Sequence, residues 1–327
     1  MTRVAAIDCG TNSIRLLIAD LDGQGGLHDV VRTLELVRLG EGVDRTGRFS
    51  EAALERTLAA TRRYAQLCRE HEVERIRFVA TSATRDAANR AEFTDAVYKI
   101  LGVPAEVIPG TEEAALSFRG ALTAVSRQSA DAAASAAQHL VIDLGGGSTE
   151  LVLGGSTPDA AYSMDIGCVR LTERNMLSDP PLEAELAGIR RDVNSALDLA
   201  TGTVNLAQAT EVIGVAGTIT TITAHALGLT SYDPVAINGA RVSLSEVLAS
   251  CDALSHMPRA ERAALPYMHP GRVDVIAAGA VIWATILERI AAVRAATATP
   301  LAFVATSEHD ILDGAALSLA SNHASMG

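Results

Sequence analysis

The sequence predicts an α/β fold built as two related halves, and two observations predict it. Short apolar runs alternate with amphipathic segments of helical length along the chain, the order that gives sheets covered by helices. One unit also occurs twice: an apolar strand that ends in Asp and runs into a glycine turn rich in polar side chains. Val4-Ala5-Ala6-Ile7-Asp8 leads into Cys9-Gly10-Thr11-Asn12-Ser13, and Leu140-Val141-Ile142-Asp143 leads into Leu144-Gly145-Gly146-Gly147-Ser148-Thr149-Glu150. A single Gly-rich hairpin is as readily an ordinary turn as a ligand cradle. A repeat at a domain's spacing predicts two facing halves, each presenting one hairpin to a shared anionic ligand.

The elements follow in order. Residues 4–8, 14–20 and 27–36 read as a strand meander, with a turn at 22–26 and a glycine-interrupted loop at 38–43. Ser50 is placed to cap a helix that carries Ala53, Leu54, Leu58 and Leu67 at helical spacing and runs to about residue 71. A strand at 75–80 ends in Thr81-Ser82-Ala83-Thr84-Arg85-Asp86, and a helix follows to Leu101. A strand at 105–108 then turns through Pro109-Gly110-Thr111 into a helix opening with Glu112-Glu113.

Residues 126–138 hold no apolar side chain larger than alanine, which predicts a mobile connection about which the halves could close. The second half repeats the plan, with strands at 140–143, 149–153 and about 160–165, and a helix at 183–200. A strand at 211–215 runs into Ala216-Gly217-Thr218, which opens a helix. Helices at 244–254, 274–294 and 310–320 and a strand at 301–305 complete it. Domains are expected at 1–126 and 127–309, with a helix at about 310–327 able to pack back on the first.

Composition narrows the chemistry. The 327 residues suffice for two cores, and 48% apolar residues with a mean hydropathy of +0.21 fit a globular chain. The longest charge-free apolar run, 275–287, falls short of the ~20 residues of a membrane span, so a buried helix is expected there. No secretory leader is legible, and Cys9, Cys68, Cys168 and Cys251 lack CxxC spacing. Reduced thiols and a cytoplasmic protein are expected, with no zinc site. A net charge of −12 disfavours nucleic-acid and membrane partners, so an anionic substrate would be met locally by arginines, amides and a cation. Lys99 is the one lysine beside 26 arginines, and no GxxxxGK[ST] loop exists.

Several segments together resemble the exopolyphosphatase and guanosine pentaphosphate phosphohydrolase family of the actin, Hsp70 and sugar-kinase superfamily. They are Ile7-Asp8-x-Gly10-Thr11-Asn12-Ser13-x-Arg15-Leu16, Gly110-x-Glu112-Glu113-Ala114 and Ile142 to Glu150. Blocks 80–85, 167–170 and 272–276 support the likeness, which extends from residue 4 to about 314. It implies two ribonuclease-H-like (actin-like ATPase) domains with an interdomain cleft, and often a homodimer. Longer members carry a further helical region, for which these residues have no counterpart, so less preference for very long polymers is expected.

Hydrolysis of a terminal phosphoanhydride needs a cradle for charge, a cation and an oriented water. Gly10, Thr11, Asn12 and Ser13 in one hairpin, and Gly145, Gly146, Gly147, Ser148 and Thr149 in the other, are the candidate cradle. Asp8 and Asp143, if they are not turn caps, are candidates to hold Mg²⁺, directly or through its waters. Read alone, Glu112-Glu113 is the acidic first turn of a helix. The resemblance places the catalytic base on Glu113, with Glu150 the alternative base or a metal ligand. Arg85 is either a bidentate phosphate clamp or a solvated loop arginine. Arg15 and Arg170 are weaker candidates for that work or structural ion-pair partners. Gly217 and Thr218 open a helix whose N–H groups suit a phosphate, unless they form a plain strand-to-helix turn. Cys168 reads as a small buried residue, and His309 as a capping one.

The expected reaction is Mg²⁺-assisted release of orthophosphate from inorganic polyphosphate. Removal of the 5′ γ-phosphate of guanosine pentaphosphate (pppGpp) is the alternative within the family. A small-molecule kinase using the hairpins for ATP is the alternative outside it, and a chaperone ATPase domain or filament subunit is a third.

Overall fold

A computed structural model of the chain describes residues 1–22, 26–126, 137–297 and 300–320. It divides into two compact units, Met1–Gly120 with Ile311–Gly327, and Ala121–Asp310. Most of the expected mobile connection, 127–136, lies outside the described residues, as do parts of the 22–26 turn and of the C-terminal segment.

The first unit begins with the meander β1 (Thr2–Cys9), β2 (Ser13–Leu21) and β3 (Leu27–Leu36). Next come α1 (Val43–Thr46), α2 (Glu51–Glu70), β4 (Arg75–Ala80), α3 (Ser82–Asp86), α4 (Arg90–Leu101), β5 (Ala105–Val107) and α5 (Gly110–Ser126), a helix that continues past the unit's boundary at Gly120. The sheet order is β3-β2-β1-β4-β5, antiparallel in the meander and parallel from β1 onward. Because β1 is covered on both faces, its alternating side chains enter two cores. Ala5, Ile7 and Cys9 join Phe78, Phe93 and Tyr64, whereas Val4 and Ala6 join Leu17, Val79, Ile311 and Ala315. The last two belong to α13 (Ile311–Ser318), the C-terminal helix that packs on this sheet. Ser50 caps α2 as its sequence requires, its hydroxyl accepting from the Ala53 N–H at 3.2 Å.

The second unit holds β6 (His139–Leu144), β7 (Thr149–Gly154), β8 (Pro158–Met164), α6 (Cys168–Asn175), α7 (Glu183–Ala200), β9 (Glu211–Val215) and α8 (Ala216–Ala226). It continues with α9 (Pro234–Ile237), β10 (Arg241–Ser243), α10 (Leu244–His256), α11 (Arg259–Ala264), α12 (Ile276–Arg294) and β11 (Phe303–Thr306). Its sheet runs β10-β11-β9-β6-β7-β8. Helix α12 is long and apolar enough by composition to cross a membrane, yet 67% of that stretch is buried inside the unit. It is a core helix, with Trp283 and Ile286 packed in the main cluster.

The departures from expectation are short elements. Within segment 81–86, where a loop was one reading of Arg85, Ser82–Asp86 form the one-turn helix α3, and Cys168–Asn175, for which no element was expected, form α6. The predicted strand at 301–305 begins two residues later, at Phe303. Helices α9 and α11 and the three-residue strand β10 had no expectation, since runs this short complete too few periods to leave a pattern.

Candidate active site

In the first unit the β1–β2 hairpin closes with the Gly10 N–H donating to the Ser13 carbonyl at 3.0 Å. Register sets Asp8 directly opposite Arg15, so the two side chains share one face. Both Nε and Nη2 of Arg15 donate to Asp8 Oδ2, at 2.9 and 2.6 Å, and Asp8 is 5% exposed. Of the two roles open to Arg15, the ion pair is the one observed. The Thr11 hydroxyl is hydrogen-bonded to Ser82 at 3.0 Å, which ties the hairpin to the first residue of α3.

Glu113 lies in the first turn of α5, whose register separates it from its neighbour. Adjacent helical residues point about 100° apart. Glu112 is accordingly taken by Arg77 at 2.6 Å on the outside, and Glu113 is turned inward, 8% exposed. Arg85 Nη1 donates to Glu113 Oε2 at 2.6 Å and to the Ile108 carbonyl at 3.0 Å. Burial raises the Glu113 carboxyl to about 7, the charge of Asp8 pushing the same way, against Arg85 and a hydrogen bond from Thr81, which hold it down. Arg85 is therefore neither solvated nor isolated.

The second unit carries the same hairpin 135 residues on. The Gly145 N–H donates to the Ser148 carbonyl at 3.0 Å, and Asp143 stands opposite Glu150. Where the first unit sets an arginine against its aspartate, this one sets a second carboxylate. Asp143 is 6% and Glu150 1% exposed, and Ser163 donates to Glu150 Oε1 at 2.7 Å. Two carboxylates in register on one face of a strand pair are the oxygen donors that a hard divalent cation takes, and Mg²⁺ needs only one or two protein carboxylates, with water and phosphate oxygens for the rest. The donors therefore fit such an ion, although no group of three His, Cys, Asp or Glu converges among the described residues. Asp8, already matched by Arg15, fits it less well.

Other candidates are placed as follows. The Thr149 hydroxyl, expected in the cradle, points inward and donates to the Ile166 carbonyl at 2.8 Å. Arg170 Nε donates to the Gly147 carbonyl at 2.7 Å. Cys168 is buried, and burial pushes its thiol up. Ala216, at φ 72, takes the left-handed conformation where β9 turns into α8. A Cβ on Gly217 would sit 2.5 Å from Arg272 Nη2, so only glycine lets that guanidinium rest on the helix start.

Arg272 is the residue that sequence reasoning missed. Its Nη1 donates to Thr221 at 2.8 Å and its guanidinium lies 5.6 Å over the Tyr232 ring. Tyr232 in turn donates to Glu308 at 2.6 Å. The motif at 272–276 was visible, but no local pattern says that a chain returning 55 residues later meets Gly217.

The chain as a whole is similar to known proteins. The sequence model of the Ppx/GppA phosphatase family matches residues 17–301. "Exopolyphosphatase 2" of Mycobacterium tuberculosis is 50% identical, over 98% of this chain and 99% of its own. The crystal structure of an exopolyphosphatase-like protein superposes with a TM-score of 0.92 at 47% identity, covering 97% of both chains. The Aquifex aeolicus Ppx/GppA family member superposes with a TM-score of 0.77 at 30% identity over 99% of both.

Proposed function

The chain belongs to the Ppx/GppA phosphatase family, and from that footing we infer that it is a phosphoanhydride hydrolase that releases terminal orthophosphate from inorganic polyphosphate. The observation that carries the mechanism is the buried Glu113 carboxyl, held by Arg85 and raised to about 7, where a general base at neutral pH works best.

In this reading Glu113 accepts the proton of a water as that water attacks the terminal phosphorus. The bond from phosphorus to the bridging oxygen breaks, orthophosphate leaves, and the shortened chain takes its charge away as an anion. Arg85 keeps the Glu113 oxygens oriented and stands as a candidate phosphate ligand. The amides of the Gly145–Ser148 turn, the N–H groups at Gly217 and Thr218, and Arg272 meet phosphate charge with fixed donors, the main form of stabilisation available to phosphoryl transfer. Asp143 and Glu150 would hold Mg²⁺, which when bound neutralises phosphate oxygens. Gly10, Thr11, Asn12 and Ser13 offer the same donors from the first unit.

Purified protein supplied with Mg²⁺ and, separately, polyphosphate, guanosine pentaphosphate, or ATP with and without sugar acceptors tests this reading by orthophosphate release. Release from polyphosphate is expected. Faster turnover of the pentaphosphate would move the substrate to the nucleotide, and acceptor-dependent use of ATP without polyphosphate cleavage would replace hydrolase by kinase.

A further inference from the structure

We propose that Arg170 is a positioning residue that fixes the Gly147–Ser148 peptide so that its N–H faces the phosphate, and that it does so through Nε rather than through its charge. The proposal rests on the hydrolase reading above. Three consecutive glycines make a turn whose peptides flip at little cost. A flipped peptide would present a carbonyl dipole to an anion in place of an amide, so something must hold each plane.

The holding groups all come from the start of α6. The Gly145 carbonyl accepts from Cys168 N–H at 3.1 Å, and the Gly146 carbonyl from Val169 and Arg170 N–H at 2.9 and 3.1 Å. The Gly147 carbonyl accepts from Arg170 Nε at 2.7 Å. In a planar trans peptide the N–H points opposite to the C=O. Fixing these three carbonyls toward α6 therefore turns the amides of Gly146, Gly147 and Ser148 to the other side of the turn. Gly167 permits the approach: its φ is −161, an ordinary extended value, yet a Cβ there would fall 2.4 Å from the Gly146 carbonyl.

The first unit shows what Arg170 replaces. Its hairpin aligns with the second at a shift of 135, so Thr11 matches Gly146 and Asn12 matches Gly147. There the Thr11 carbonyl accepts from Gly40 N–H at 2.8 Å, and the Asn12 carbonyl from Val37 and Arg38 N–H at 3.2 and 2.9 Å. A Cβ on Gly40 would likewise strike Thr11. Both hairpins are thus held from behind, but the last carbonyl is held by backbone in one unit and by a side chain in the other.

Three variants separate position from charge. In glutamine the terminal amide nitrogen occupies the place of arginine Nε, so Arg170→Gln keeps the donor and removes the charge. Arg170→Lys keeps the charge and puts a methylene there, and Arg170→Met removes both. Losing a charged donor costs about 1.5–3 kcal/mol, or roughly 10- to 100-fold. We expect KM for polyphosphate to rise at least tenfold in Arg170→Met and Arg170→Lys with kcat within threefold, and to stay within threefold of the parent in Arg170→Gln. The reverse order, lysine normal and glutamine impaired, would overturn the proposal in favour of a direct charge contact, and an unchanged KM in folded Arg170→Met would overturn it outright. Should Arg170→Met not fold, the glutamine and lysine pair decides alone. Calorimetric binding of tripolyphosphate to the same proteins keeps the two levels apart: a parent that releases no orthophosphate defeats the assigned reaction, whereas the order of Kd values tests Arg170 either way.

Discussion

Arg85 Nη1 lies 2.6 Å from Glu113 Oε2 and 3.0 Å from the Ile108 carbonyl, so one cation pins a buried carboxylate and the strand end that leads into its helix. The pair sets the protonation state of Glu113 by opposition. Burial drives the carboxyl up, Arg85 draws it back, and the outcome stands at about 7. The first three predictions follow from that balance.

Replacing Glu113 by Gln removes the proton acceptor and keeps the shape. Steady-state orthophosphate release should fall by ~10²- to 10⁴-fold in kcat, with KM little changed. In the parent, kcat/KM should rise with pH through about 7 as Glu113 ionises, and the residual activity of the variant should lack that limb.

Stability should move the other way. A carboxyl with its folded pKa above the ordinary 4.5 binds its proton more tightly folded than unfolded. Its contribution is therefore full below 4.5 and is lost as pH rises through about 7, up to about 3 kcal/mol in all. Thermal melts should show Glu113→Gln more stable than the parent at pH 8, with the difference gone at pH 5.

Removing Arg85 takes away the attraction that holds Glu113 down. In Arg85→Met the acid limb of kcat/KM should shift to higher pH, by a unit or more on the order expected for a close ion pair. A pH–rate profile with an unmoved limb would show that the two groups do not titrate together.

Asp143 and Glu150 are buried carboxyl residues in register across β6 and β7. Adding Mg²⁺ should raise the melting temperature of the parent and not of Asp143→Asn, a readout independent of turnover.

Gly314 of α13 packs against α5, where an added Cβ would lie 2.0 Å from the Leu116 carbonyl oxygen. No side-chain rotation relieves a clash with backbone. Gly314→Ala should destabilise by about 1–3 kcal/mol in denaturant unfolding.

Much of this was legible in the chain. The strand–Asp–glycine repeat gave both hairpins, because register follows directly from a short turn, and Ser50 gave the start of α2. Glu113 was separated from Glu112 only by family resemblance; in three dimensions the helix phase does it, sending one to Arg77 and the other to Arg85. What stayed hidden depends on long-range contact. That Arg15 would face Asp8 while Glu150 faces Asp143 was implicit in the hairpin register, yet its electrostatic meaning needs burial, which no local pattern reports. Arg272 on Gly217, and Arg170 behind Gly147, are meetings of residues far apart in sequence.

The most direct test of the account is orthophosphate release from polyphosphate in ¹⁸O-labelled water, comparing the parent with Glu113→Gln. Water attack on the terminal phosphorus predicts one labelled oxygen in each orthophosphate released by the parent, and release slowed at least a hundredfold in the variant. Unlabelled orthophosphate from the parent, or undiminished release by folded Glu113→Gln, would contradict it.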